Sequence, residues 1–222
     1  MHVRVHPSSD RSVVVRLGGE IGAEARERVR RLLWLLRAEP VAAVRNLNPA
    51  YATVLVTFDP ARTDHAEMER VLRGYLERLD TVVLPERRLA EIPVCYGGEF
   101  GPDLEAVAAR HGLSPAGVVA RHVAGDYTVD FLGFAPGFAY LSGLDERLAT
   151  PRLATPRRKV PAGSVGIGGN QTGVYPCATA GGWWLIGRTP LKMFDPEREP
   201  MTLLAIGDRV RFAPVGLESQ CR

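Results

Sequence analysis

Ser12-Val-Val-Val-Arg-Leu17 is a short apolar run with the β-branched content of a strand, and Gly18-Gly19 turns the chain after it. The period then changes. Ile21, Ala25, Val29, Leu32, Leu33 and Leu36 fall at helical spacing, which predicts an amphipathic helix over 22–38. Val41 to Leu47 and Thr53 to Phe58 are β-rich again, around Asn48-Pro49, and predict a hairpin. Asp64 stands where an N-cap would, with Glu67 three positions on. Met68, Val71, Leu72, Tyr75, Leu76 and Leu79 then supply the buried stripe of a second helix. This strand–helix–strand–strand–helix order predicts a small ferredoxin-like α+β domain over 1–87, with both helices on one side of a sheet.

The pattern shifts after the linker Pro85-Glu-Arg-Arg. Glu91-Ile-Pro-Val-Cys-Tyr96 reads as a strand with an edge-compatible proline, and Gly97-Gly98 ends it. Two short helices are predicted over Asp103 to His111 and Ser114 to Val123, the second with Ser114 as N-cap and Gly125 past its end. From Tyr127 the apolar runs are short and divided by glycine and proline. They are Val129-Asp-Phe-Leu, Val165-Gly-Ile, Gly173-Val-Tyr, Trp183-Trp-Leu-Ile, Met201-Thr-Leu-Leu and Arg209-Val-Arg-Phe. Many short strands with such punctuation predict a closed or nearly closed β-barrel over 88–222. Thr150-Pro-Arg and Thr155-Pro-Arg-Arg echo each other, but a solenoid needs a longer period and more copies.

Composition narrows the class. The 222 residues carry 28 Lys+Arg against 25 Asp+Glu and 45% hydrophobic residues, enough for a substantial core. No apolar run approaches the ~20 residues of a membrane span. The start, Met1-His-Val-Arg-Val-His, has no signal-peptide core, and His2 and His6 are expected to be inert. Cys95, Cys177 and Cys221 form no Cys-x-x-Cys pair and no disulfide framework, so a reducing, cytoplasmic setting is expected, with Cys95 a small buried hydrophobe. The scattered histidines indicate no metal site. Only Lys159 and Lys192 are lysines; many arginines sit beside glutamates in helical patterns and read as solvated faces. Basic residues interleaved with aromatics are missing, and nucleic acid is not an expected partner.

Charge becomes informative in one place. Arg147 to Phe194 holds seven basic residues and no Asp or Glu. Arg152, Arg157, Arg158 and Arg188 either tie loops to backbone carbonyls or offer planar forks to a carboxylate or phosphate. An acid such as Asp130 or Asp195 could also reach them from elsewhere in the fold. Gly163-Ser-Val-Gly-Ile-Gly-Gly is neither a Walker loop nor a dinucleotide fingerprint. It is either a glycine-permitted hairpin or a cradle of backbone N–H donors. Phe131 and Phe134 read as core, or the turn Ala135-Pro136-Gly137-Phe138 presents an aromatic wall to a ligand. One of Trp183 and Trp184 faces the core and the other lines a pocket. His122 is either a structural residue or an acid or base near neutral pH. Ser164 has no recognisable His and Asp partners. The residues alone describe an anion-binding pocket in a barrel with its chemistry open.

Several motifs occurring in order resemble the family of 5-oxoprolinase B subunits, also described as allophanate hydrolase subunit 1 or as a sporulation-kinase inhibitor. They are Glu91-Ile-Pro-Val-x-Tyr-Gly-Gly with Gly101-Pro-Asp-Leu, Phe131-Leu-Gly-Phe-x-Pro-Gly-Phe-x-Tyr-Leu, Thr150-Pro-Arg, and Val160-Pro-Ala-Gly-Ser-Val-Gly-Ile-Gly-Gly. Gln171-Thr-Gly-Val-Tyr-Pro, Gly181-Gly-Trp and Ile186-Gly-Arg-Thr-Pro complete the set. Ala139 and Trp184 are small departures. The resemblance implies a cyclophilin-like barrel behind a small α+β domain. It also implies two partners, the C and A subunits of 5-oxoprolinase, and hydrolysis of 5-oxoproline to glutamate with ATP as co-substrate. Carried onto this chain, it implies that Arg152, Arg157 and Arg188 hold carboxylate or phosphate of a small anionic substrate. Ser164, Gln171, Thr172 and Thr189 would supply hydrogen bonds, with Phe134, Pro136, Gly137, Phe138, Tyr175 and Trp183 as walls. Allophanate hydrolysis and inhibition of a histidine kinase are the alternatives the same resemblance allows.

Overall fold

The computed structural model describes residues 3–19 and 22–216. Ile21, His2 and Cys221, which entered the expectations above, lie outside the described residues. The chain divides into two compact units on either side of the Glu86–Arg87 bond.

In the first unit, period-two alternation places Val13 and Val15 on one buried face with Val54, Val56 and Phe58. The elements are β1 (Arg4–Ser9), β2 (Ser12–Arg16), α1 (Ala23–Ala38), β3 (Val44–Pro49), β4 (Thr53–Phe58) and α2 (His65–Glu77). The sheet is antiparallel in the order β1-β2-β4-β3, with Val13 opposite Val56 and Val15 opposite Val54. The chain runs ββαββα, so the expected order is preceded by an edge strand that alternation does not show. Only Val5 of β1 is buried, and Pro7 is tolerated because β1 has one neighbour. Pro49 ends β3 rather than forming the turn, which falls at 50–52. Asp64 caps α2 by accepting from the Glu67 N–H at 2.9 Å.

The second unit contains β5 (Leu89–Tyr96), α3 (Leu104–Arg110), α4 (Pro115–Val123), β6 (Tyr127–Leu132), β7 (Ala139–Ser142), β8 (Arg157–Val160) and β9 (Ser164–Gly168). It continues with β10 (Gln171–Val174), β11 (Thr179–Gly181), β12 (Trp184–Arg188) and β13 (Arg209–Pro214). Seven strands close into a barrel in the order β10-β7-β6-β13-β5-β12-β9, sealed by the β9–β10 hairpin. The strands β8 and β11 form a separate two-stranded ribbon. The run Met201 to Leu204 is no strand; it makes a single bridge, Phe194 to Thr202. The strand β5 lies inside the closed sheet, yet β12 pairs with it only at Cys95 and Tyr96, so Pro93 lies beyond that ladder. Cys95 is fully buried and disulfide-bonded, which corrects its reading as a plain buried thiol, while Cys177 is a free, exposed thiol. No helix among the described residues is long and apolar enough to cross a membrane.

The lumen is filled by Ile92, Val94, Tyr127, Val129, Leu141, Val165, Ile167, Ile186, Val210 and Phe212, together with Leu104, Val107 and Val118 of the helices. Helix α4 begins at Ser114, whose hydroxyl accepts from the Gly117 N–H at 3.1 Å, and sends His122 into this core.

Candidate functional site

His122 meets side chains from four strands: Tyr96 of β5, Tyr127 of β6, Thr172 of β10 and Phe212 of β13. Strands on opposite sides of a barrel can share a neighbour only inside it, so these residues mark the lumen face. The hydrogen bonds close on a single tautomer. The Thr172 hydroxyl donates to the Gly166 carbonyl at 3.0 Å, and so accepts from His122 Nε2–H at 2.9 Å. His122 Nδ1 then accepts from the Tyr96 hydroxyl at 2.8 Å. Burial pushes the imidazole pKa from 6.5 down to about 3, and pushes the Tyr96 and Tyr127 phenols up. The acid/base expectation for His122 is therefore corrected. The ring is a neutral, sealed strut, and Thr172 belongs to that strut and not to a ligand site.

Alternation turns the residues next to Thr172 outward. On β9 and β10, Gly166, Gly168, Gly173 and Gln171 share the outer face of the wall. The glycines have a definite use there. A Cβ on Gly168 would overlap the indole of Trp183, and one on Gly166 would press on the Trp183 Cβ at 3.1 Å. Gly166 and Gly168 thus sit in a hairpin where their missing side chains make a floor for Trp183. Trp183 itself is buried against Phe138, Tyr175, Val160 and Leu185. Trp184 points the other way, packs on the lumen core and donates from Nε1 to the Pro151 carbonyl at 2.7 Å.

Around Trp183 the rings form a box. Phe138 stands edge-on to Tyr140, Tyr175 and Trp183, with centroids 4.9, 5.4 and 5.4 Å away. Phe134 extends the box at 5.4 Å from Phe138. Arg152 lies over the Trp183 ring with its guanidinium carbon 5.9 Å from the centroid. Together with Tyr140, Gly181 and Gly182 these residues line an open pocket of about 70 Å³. Among the described residues no carboxylate pairs with Arg152. Burial raises the Tyr175 phenol pKa, opposed by a hydrogen bond to the Trp183 backbone and by the charges of Arg152 and Arg157, so Tyr175 keeps its proton as a donor. Pro136 is exposed and Gly137 buried in the turn that carries Phe138.

The remaining predicted residues are held elsewhere. Arg157 donates to Asp103 Oδ1 at 2.6 Å, while Asp103 Oδ2 accepts from the Leu185 N–H at 2.7 Å. The acid that neutralises Arg157 is Asp103, and neither Asp130 nor Asp195. Arg158 is exposed on the ribbon. Arg188 lies over Phe100 at 5.4 Å, outside the pocket lining. Ser164 is buried and its hydroxyl has no hydrogen-bond partner among the described residues. Thr189 is buried, and its hydroxyl accepts from the Leu191 N–H at 3.3 Å. Tyr140, unnoticed in the sequence as a wall, completes the box; its place next to Phe138 in the aromatic run was the available signal. Of the four arginines, only Arg152 lines the pocket, and among the described residues no carboxylate neutralises it.

A family model described as carboxyltransferase domain, subdomain C and D, matches residues 3–204. The chain is 42% identical over 222 residues to the 5-oxoprolinase B subunit of Bacillus subtilis (strain 168), an alignment covering 96% of this chain and 92% of that protein. It is 47% identical over 213 residues to the 5-oxoprolinase B subunit of Escherichia coli O157:H7, covering 95% of each. The crystal structure of TTHA0988 is similar with a TM-score of 0.83 at 38% identity; the match covers 94% of this chain and 40% of that one.

Proposed function

From the premise that this chain belongs to the carboxyltransferase domain, subdomain C and D, family and to the family of 5-oxoprolinase B subunits, we propose that it is the substrate-holding component of an ATP-dependent 5-oxoprolinase. The observation that carries this reading is Arg152, a guanidinium with no carboxylate partner among the described residues, laid over Trp183 at the edge of an aromatic box. 5-Oxoproline is a small ring with two methylenes, a lactam and one carboxylate. Its carboxylate suits the fork of Arg152 and its methylenes suit the rings of Phe138 and Trp183. Tyr175 adds a neutral donor beside the same floor.

Hydrolysis adds water across the lactam C–N bond: the carbonyl carbon becomes the new carboxylate and the nitrogen takes a proton to become the amine of glutamate. Negative charge develops on the lactam oxygen on the way and needs fixed donors around it. The pocket, about 70 Å³, is smaller than the ~300–1,000 Å³ of enclosed small-molecule sites. A surface from the C and A subunits is proposed to close over it and bring the groups that attack. Gly166 and Gly168 are covered by Trp183, so the ATP co-substrate is proposed to be held by the partner subunits.

The test is to purify the chain with its C and A partners and measure ADP release with and without 5-oxoproline. Release should depend on 5-oxoproline, and Arg152→Gln should raise KM by about tenfold to a hundredfold, the worth of a charge-assisted hydrogen bond. ADP release indifferent to 5-oxoproline would overturn the assignment. Ammonia release from allophanate, or stoichiometric loss of histidine-kinase autophosphorylation, would replace it.

A further inference from the structure

Among the described residues other than glycine, Phe134 alone has a left-handed backbone, with φ at 68°. The Ala135 N–H donates to the Gly133 carbonyl at 2.8 Å and closes a three-residue turn around Phe134. With positive φ at its centre this is the rare, strained form of the γ-turn, and a residue as bulky as phenylalanine is an outlier there. The surroundings leave the turn little freedom. Gly133 N–H donates to the Phe138 carbonyl at 3.1 Å, and Phe138 N–H to the Ala135 carbonyl at 2.9 Å, with Pro136 and Gly137 at the corner of that second turn. Gly137 has φ 83°, and a Cβ there would lie 2.9 Å from the Met193 carbonyl oxygen and 2.8 Å from the Phe194 Cβ. The corner is clamped from beneath.

Folding recovers little for this distortion, because Phe134 remains 58% exposed. Its contacts are edge-on, to Phe138 at 5.4 Å and to Tyr175 at 6.2 Å, and both of those residues line the Arg152 pocket. A strained backbone that thrusts an apolar ring into water at a pocket mouth is a functional signature. We infer that Phe134 is the specificity-determining cover of this pocket: its ring lies on a compact cyclic carboxylate held by Arg152 and disfavours the open-chain product. The inference rests on the proposed function, since it takes the pocket as the substrate site. The selection is chemical. A lactam ring turns methylenes toward Phe134, whereas glutamate would bring a second carboxylate against the negative ring faces of the aromatic box, where desolvation and the ring charge oppose it.

The experiment uses the assembled complex with Phe134→Gly, a residue that accepts positive φ freely, and Phe134→Tyr, which keeps the ring. Phe134→Gly should raise the KM for 5-oxoproline about tenfold, with kcat falling less than KM rises, and should strengthen inhibition by glutamate relative to substrate binding. Phe134→Tyr should restore KM, and the melting temperature of Phe134→Gly should equal or exceed that of the unaltered chain. An unchanged KM and glutamate inhibition in Phe134→Gly, with normal turnover by the unaltered complex, overturns the inference alone. So does a melting temperature lowered by several degrees, which would make the ring a packing element. Absence of 5-oxoproline-dependent turnover in the unaltered complex removes the functional reading and this inference with it.

Discussion

Acidification from about pH 7 to about pH 5 is expected to loosen the barrel through His122. The imidazole is fully buried, accepts from Tyr96, donates to Thr172, and lies 4.5 Å from the Phe212 ring. Each contact is made by the neutral form, and the folded-state pKa stands at about 3 against 6.5 for an unburied histidine. Between those values the unfolded chain binds a proton that the folded chain refuses. Stability from the neutral ring is therefore complete above pH 6.5 and is lost as pH falls through the window toward 3. Each pH unit inside the window costs about 1.4 kcal/mol, so about 2 kcal/mol is gone at pH 5. That is a sizeable part of the ~5–15 kcal/mol of an ordinary domain and should lower the urea midpoint by about 1 M. Urea unfolding followed by tryptophan emission, in a Trp34→Phe background so that Trp183 and Trp184 report the barrel, measures the effect. The comparison protein is His122→Gln, which retains a donor and an acceptor but does not titrate. The other histidines contribute equally to both proteins and cancel. An equal loss of stability in the two proteins between pH 7 and pH 5 would refute the reasoning, as would an NMR titration placing the His122 pKa near 6.

Gly168→Ala should displace the Trp183 indole and cost about 1–3 kcal/mol through overpacking and, on the proposed function, should weaken 5-oxoproline binding by the assembled complex in calorimetry. A variant with unchanged melting and affinity would show that the indole does not need that floor. Asp103→Ala should cost about 2 kcal/mol, because it strands both Arg157 and the Leu185 N–H. Adding Arg157→Met should recover part of the loss. A single variant that melts like the parent would mean solvent already screens the pair.

Local chemistry was legible in the chain. Helical spacing and the Asp64 and Ser114 caps marked α2 and α4, since a helix is closed by residues three and four positions away. Glycine and proline punctuation gave away a barrel of short strands. The elements that escaped notice, β1, β7 and the β8–β11 ribbon, are short or polar and take their stability from pairing partners instead of an alternation of their own. The aromatic walls were also foreseeable, because Phe134, Phe138 and Tyr140 travel together in one hairpin.

What the order of residues could not disclose was which charge meets which, and which side of the wall each side chain takes. Arg152 and Arg157 look alike in an acid-free stretch, yet Asp103, fifty-four positions before Arg157, reaches one and not the other. Gln171 and Thr172 are neighbours, but closing the barrel sends Thr172 inward to His122 and leaves Gln171 outside. Composition and spacing record contacts along the chain. Burial, charge pairing and the state of a proton depend on contacts across it, and those exist only once seven strands have closed.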